Sequence, residues 1–442
     1  MRIAFSPITT GRAYGRLVVL ASILCMSAAQ GAGFDIDLGQ LIEISPRPGT
    51  VINADNAQQH RHLFDADFAK FLDGGFATVE VGEPLSFLPH PAFIHATRQY
   101  RGQPALAESP GTLTNYAQGR PFPPPGKTPE GKSGEKIAWN MRYAYLGDSG
   151  ILPELRWQLR DWRSEKVEFE MLFEARSMRF MYRHVQPPMP FIESNPQDAF
   201  GAFLLTAVDA GSYDGTQALV FANRDESSDI NGWVYIPQLG RTQSLASFST
   251  EESMFGSDIL PTDFLTFSGR LTDLEWTFIG STYMLLPMYR HDQIHLSSDK
   301  ARKYDYWHVD FEGRGGCFPK VHWQLRPTLI LEAKTVDPSA PVARRRFYLD
   351  AQTHLPVMWK IYREPEVLWK FAINAYAHPN SHLQHNHESG APILTAFSTI
   401  DIATNRCTTI QVLAVINVDD VVPKDFDTGA MRSGGGGSFR RR

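Results

Sequence analysis

Between residues 166 and 175 the chain alternates, with Leu172 the one apolar residue on the charged side. Val167, Phe169, Met171, Phe173 and Ala175 fall on one side, and Glu168, Glu170 and Glu174 on the other. A period of two puts successive side chains on opposite faces of a strand. One apolar face and one acidic face belong to an antiparallel sheet, because parallel strands are covered on both sides. Similar short segments follow at 178–185, 203–208, 217–223, 275–279, 345–349, 356–362, 367–376, 397–402 and 408–415. With a strand expected over 136–146 and the hairpin described next, the chain holds about a dozen strands, few helices and no strand–helix–strand spacing.

Residues 228–265 organise the rest. Asn231-Gly232 supplies turn chemistry ahead of Trp233, Val234, Tyr235 and Ile236, which are aromatic or β-branched and suit a strand. A turn at 237–240 leads to a returning strand over 241–247. Thr250 or Ser253 then caps a short helix with Met254, Phe255, Ile259 and Leu260 on its apolar side. A helix delivered by a sheet edge buries itself on one sheet face. The expected fold is therefore mainly β (α+β), a curved antiparallel half-barrel with short helices in its concave mouth. One sheet cannot fill its own concavity, and such a hollow is where a ligand goes. The candidate ligand-binding residues are Phe169, Met171, Phe173, Trp233, Tyr235, Met254, Phe255, Ile259, Leu260 and Phe264. The competing reading of the same residues is a closed core.

The ends of the chain read differently from its middle. Arg2, Arg12 and Arg16 precede an apolar run at 17–29, too short to span a bilayer, with small residues after it. Residues 1–32 thus read as a cleaved export signal, placing the mature protein in the periplasm, with peripheral outer-membrane association as a variant. Leu24 is too large for a lipid-attachment pattern at Cys25. Export leaves Cys317 and Cys407, and an oxidising compartment favours a bridge worth about 4–5 kcal/mol over two separate buried thiols. Residues 33–130 form an irregular leading region, with helical spacing over 53–72 and then scattered prolines. The half-barrel takes 131–425, and 426–442 reads as a flexible basic tail.

Reaction chemistry has little to stand on. Residues 126–133, GKTPEGKS, match the P-loop letters, but prolines surround them and a strand is expected after them, where a phosphate site needs a helix. His378, His382, His385 and His387 suit a transition metal but read as a solvated loop. Glu251, Glu252, Asp258 and Asp263 flank the expected lid helix; a pair could do glycosidase work, but nothing in their spacing favours that over capping and solvation. No hydrolase elbow, His-Glu-x-x-His or Cys-x-x-Cys motif occurs. A net charge of −5 gives no reason to expect nucleic acid, and no cofactor or metal is expected.

The run LTNYAQGRPFP at 113–123, followed by KIAWN at 136–140, resembles a proteobacterial periplasmic family of unknown function related to outer-membrane lipoprotein-sorting proteins. NGWVYIPQLGRTQ at 231–243, MFGSDI at 254–259 and RRFYLDAQTHLPV at 345–357 extend the likeness over roughly 35–420. The resemblance implies a fold similar to the LolA and LolB carriers. It also implies work beside a membrane exporter of the resistance-nodulation-division type, and it brings no catalytic residues. The expected function is carriage of a lipid or other hydrophobic molecule. A scaffold or adaptor that holds no ligand is the first alternative, and a secreted glycoside-active enzyme the second.

Overall fold

A computed structural model describes residues 33–431 apart from 127–130, 165, 196, 230, 246–251, 295–307, 365 and 430. The expected export signal, the Thr250 cap, Glu251 and the tail beyond 431 lie outside the described residues.

Two antiparallel meanders make the sheet. The first runs through β1 (Ser149–Asp161), β2 (Val167–Arg179), β3 (Ala199–Asp209), β4 (Gln217–Asn223), β5 (Asn231–Ile236) and β6 (Arg241–Ser244). The second runs through β7 (Leu274–Leu286), β8 (His322–Thr335), β9 (Arg344–Asp350), β10 (Pro356–Glu364), β11 (Val367–Ala377), β12 (Ile393–Asp401) and β13 (Arg406–Ile416). β13 pairs antiparallel with β1, Ile410 opposite Trp157, so the meanders merge into one curved, open sheet from β7 to β6. β6 and β7 are consecutive in sequence yet sit at opposite ends of that order. The chain between them must therefore cross the sheet, and residues 252–273 form a strap over its inner face.

Among the described residues, five short helices join the sheet: α1 (Leu38–Ile44), α2 (Ala57–His60), α3 (Ala66–Asp73), α4 (Pro91–Gln99) and α5 (Ser133–Arg142). The helical spacing over 53–72 is broken in two, because the Asp65 side chain accepts the N–H groups of Asp67 and Phe68 and starts α3 afresh. Residues 136–146, expected as a strand, instead supply most of α5. Ile137 and Met141 stack at i, i+4 on its buried side. Gly134 lets its first turn lie on β7, since a Cβ there would sit 2.3 Å from the Trp276 carbonyl oxygen. A helix, not a strand, therefore follows GKTPEGKS.

The expectation of a sheet wet behind holds for only part of it. On β10, Trp359 faces the strap, whereas Lys360 points to the other side and pairs with Asp65 and Asp67 of the α3 region, both at 2.8 Å. Phe68 of α3 packs on Trp323 of β8 and Phe371 of β11, with ring centroids 4.9 and 5.9 Å apart. The leading region thus covers the back of the second meander. It even adds a strand, Val79–Val81, parallel to the start of β8. β10, β11, β12 and β13 are consequently buried on both faces. Cys317 and Cys407 are bonded on that back side, beside the indole of Trp162. The C-terminal segment is not loose throughout: Phe426 and Met431 are buried behind the first meander.

The motifs that carry the family resemblance act as fasteners. Asn140 of α5 takes the Phe122 N–H on Oδ1 at 2.9 Å and gives Nδ2 to the Phe122 carbonyl at 3.0 Å. Gly119 donates its N–H to His184 Nε2, and Tyr116 stacks on Tyr143. Arg120 reaches the Gln352 carbonyl across the molecule, tying 113–123 to the β9–β10 turn.

Candidate functional site

The strap replaces the expected lid helix. Gly256 and Pro261 interrupt it, leaving two single 3-10 turns, Met254–Gly256 and Pro261–Asp263. Phe255 and Leu265 take left-handed backbone angles, with φ of 51° and 58°, a costly region for bulky side chains. Polar pins hold this segment to four strands. Asp258 and Thr408 of β13 are joined twice, the Asp258 N–H donating to Thr408 Oγ1 and that hydroxyl donating to Asp258 Oδ2, both 2.9 Å. Asp263 takes a bidentate bond from Arg345 of β9 and the indole N–H of Trp359 of β10. Asn374 of β11 donates to the Leu265 carbonyl at 2.8 Å. Asp258 and Asp263 are thus buried anchors for the strap, not a catalytic pair. Burial pushes the Asp258 carboxyl above its ordinary value, and Lys370 opposes that rise.

Ile259 and Leu260 plunge between the pins into the core. The concavity expected to stand empty is therefore filled along its deep part. A strap forced to cross from edge to edge supplies the apolar side chains that a sheet alone lacks.

Beside it lies an aromatic cluster that is only half covered. Phe255 packs 5.0 Å from Phe173 and 5.2 Å from Tyr213. Phe264 packs 5.3 Å from Trp157 and 5.9 Å from Phe203. Trp157 of β1, at 0% exposure, lies against Phe173 at 4.8 Å, and its indole N–H has no acceptor among the described residues. Of the residues expected to line a ligand site, the structure gathers Met171, Phe173, Met254, Phe255, Ile259, Leu260 and Phe264 on this face. Phe169 belongs to it by strand parity but is 41% exposed, beyond the strap's reach.

Trp233 and Tyr235 do not join them. They face the back of the sheet with Leu219, Phe221 and Phe426, because Trp233 pairs with Leu219 in the face opposite Phe203. Asn231 and Gly232 are the first two residues of β5 and do not take the positive-φ angles of a turn. Sequence reasoning missed Trp157, Phe203, Tyr213 and all four strap anchors. The leucines and tryptophan at 155, 157 and 159 carried an alternation that would have exposed β1.

The histidines at 378–387 sit around two 3-10 turns, and burial lowers His382 to about 3. Among the described residues, no three His, Cys, Asp or Glu side chains come together to hold a metal ion. No described helix is long and apolar enough to cross a membrane.

These features define a class: an open, curved antiparallel sheet whose two ends are linked by a strap across the inner face. The chain belongs to the family described as Protein of unknown function (DUF1329), whose model matches residues 51–432. Solved structures similar to it include a Desulfovibrio piger protein of that family, 15% identical with a TM-score of 0.47, covering 69% of this chain and all of that one. A Vibrio parahaemolyticus domain named for outer-membrane lipoprotein sorting is 13% identical over the same shares, with a TM-score of 0.46. A LolA superfamily protein from Nitrosomonas europaea is 11% identical, with a TM-score of 0.38, covering 67% of this chain and 98% of that one. No curated protein matches the chain.

Proposed function

We propose that this chain is an exported envelope protein that binds an amphipathic lipid or similar hydrophobic molecule, without chemistry, on the aromatic face beneath its strap. The observation that carries the reading is Trp157, wholly buried among half-covered aromatic rings with an unused indole N–H. An unsatisfied buried donor is costly. A ligand with an apolar body and one acceptor, such as an ester or carboxyl oxygen, would satisfy it. Because Ile259 and Leu260 occupy the deep face, entry requires the strap to bow outward. Its middle is held by Thr408, Arg345, Trp359 and Asn374, so those bonds must loosen before it lifts. Covering ~300 Å² of apolar ligand surface would contribute about 7 kcal/mol, and moving the strap and ordering the ligand offset much of that. The resulting modest affinity suits a carrier that gives up its load. Handover to an exporter of the resistance-nodulation-division type belongs to the same proposal.

The test is mass spectrometry of lipid extracted from protein purified out of the periplasm, beside displacement of a hydrophobic dye. Trp157→Phe should weaken uptake while leaving the fold intact. A delipidated protein with no affinity for any lipid or dye would reject the carrier reading. The filled deep face favours a second reading, an adaptor that holds no ligand. Phe255→Glu separates the two, since it should abolish dye uptake yet spare a contact made elsewhere.

A further inference from the structure

A cleft that shares no residue with the Trp157 cluster opens between α5, β7 and the loop at 107–111. It encloses about 380 Å³. Its walls include Trp139 of α5, Trp276 of β7, three carboxylates (Glu108, Glu135 and Glu275) and Lys132. Among the described residues, none of the three carboxylates has an ion-pair partner. Trp139 is 1% exposed, and its indole N–H donates to no described residue. Trp276 gives its own N–H to the Leu271 carbonyl at 2.8 Å and so presents only ring surface.

The cleft is built, not a gap between loops. Glu226, buried outside it, fastens three of its walls. The Glu226 N–H donates to the Gly111 carbonyl at 2.8 Å, holding the loop. Its carboxylate pairs with Arg142 of α5 at 2.8 Å and takes the Leu271 N–H at 3.1 Å, and its carbonyl accepts from Thr272 at 2.7 Å. Gly111 has φ of 101° and a Cβ there would lie 2.7 Å from the Ser227 nitrogen, so the loop cannot stand further off.

We infer that this cleft binds an organic ammonium group, held by the indole ring of Trp276 and by the carboxylates around it. Indole rings attract a cation through their quadrupole, and the attraction grows once the cation leaves water. Three carboxylates against one lysine give the walls a net charge of −2, which disfavours phosphate and makes the P-loop letters just before α5 a coincidence of sequence. A quaternary or primary ammonium with a short polar arm fits these walls, the arm taking the free N–H of Trp139. The inference does not rest on the carrier reading.

Calorimetric titration of the mature chain with choline tests it, beside 3,3-dimethyl-1-butanol, the uncharged carbon analogue of the same shape. Choline should bind saturably, quench indole fluorescence and outbind the analogue at least tenfold. Glu108→Gln with Glu275→Gln, both at exposed positions that tolerate the change, should weaken it about tenfold. Trp276→Leu should do the same, with circular dichroism confirming the fold. Equal binding of the two compounds, unchanged affinity in the glutamine variant, or no saturable choline signal would each overturn the inference.

Discussion

Arg345 and Asp263 form a buried two-toothed ion pair, with Arg345 Nε 3.0 and 3.1 Å from the carboxylate oxygens and Nη2 2.7 Å from Oδ2. One partner belongs to β9 and the other to the strap, so the pair holds the middle of the segment together with the Asp258–Thr408 and Asn374–Leu265 bonds. Its side chains are nearly inaccessible, at 6% and 2% exposure.

Asp263→Ala would leave a guanidinium buried without its counter-ion, costing about 3–5 kcal/mol. Urea denaturation should show the midpoint falling, and dye uptake at the inner face should rise as the strap loosens. An unchanged midpoint would show that the pair adds nothing to the strap's hold.

Lys360→Met should detach α3 from the back of β10. It strips Asp65 and Asp67 of their shared cation, and a loss of about 3 kcal/mol is expected for the buried partner left behind. Hydrogen exchange should speed up in 61–73 before it does so in β10.

Acid should weaken the 148–186 region. Asp148 is wholly buried and takes the N–H groups of His184, Val185 and Gln186, and with His184 beside it these hold its carboxyl well below the ordinary 3.8 against the opposing effect of burial. A depressed folded value means that its contribution is complete above the unfolded value near 4 and is lost as pH falls towards the folded one. Asp258 runs the other way. Its raised value makes the ionised form a cost, relieved as pH falls through that value. Asp148→Asn should therefore flatten the acid limb of a stability–pH curve, and Asp258→Asn should raise stability at neutral pH. The reverse pattern would refute both assignments.

Replacing Cys317 and Cys407 by Ser frees a loop spanning a sequence separation of 90 residues. The chain-entropy model gives a loss of about 4–5 kcal/mol. Reducing agent should mimic it in the parent protein and leave the double variant untouched.

Leu265→Gly should cost less than leucine truncation usually does. The residue sits at φ of 58° and only half buried, so glycine relieves about 1 kcal/mol of backbone strain while giving up limited contact. A loss as large as that of a fully buried leucine would show the strain to be absent.

Part of the first meander was legible because its alternation is plain: Phe203–Val208 and Gln217–Asn223 lie within observed strands and 233–236 with 241–244 form the hairpin, whereas the strand expected over 178–185 ends at Arg179. The second meander was legible as strands but not as a doubly covered layer. Its segments VMWKIY and FAINAYA run apolar apart from Lys360 and Asn374, which signals burial on both faces, yet nothing local announces that α3 supplies the second cover. β1 and β8 were missed because Pro153 and Pro327 interrupt their patterns. The 136–146 segment misled because its aromatic content suits a strand, whereas Gly134 and contact with β7 favour a helix. The strap's role was invisible from spacing, since it follows from where β6 and β7 fall in the sheet order. The aromatic candidates divided by face for the same reason, as parity along β5 is set by its partner β4.

The seam between β13 and β1 joins residues 406–416 to 150–161. β1 therefore stands with one edge unsatisfied until almost the last residue of the sheet has been delivered. A chain emerging N-terminus first exposes that edge throughout, and pairing across so long a stretch is intrinsically slow. Any truncation before 406 removes the only strand that pairs with that side of β1, turning a central strand into a template for aggregation. The protein is thus committed to assembling late and all at once.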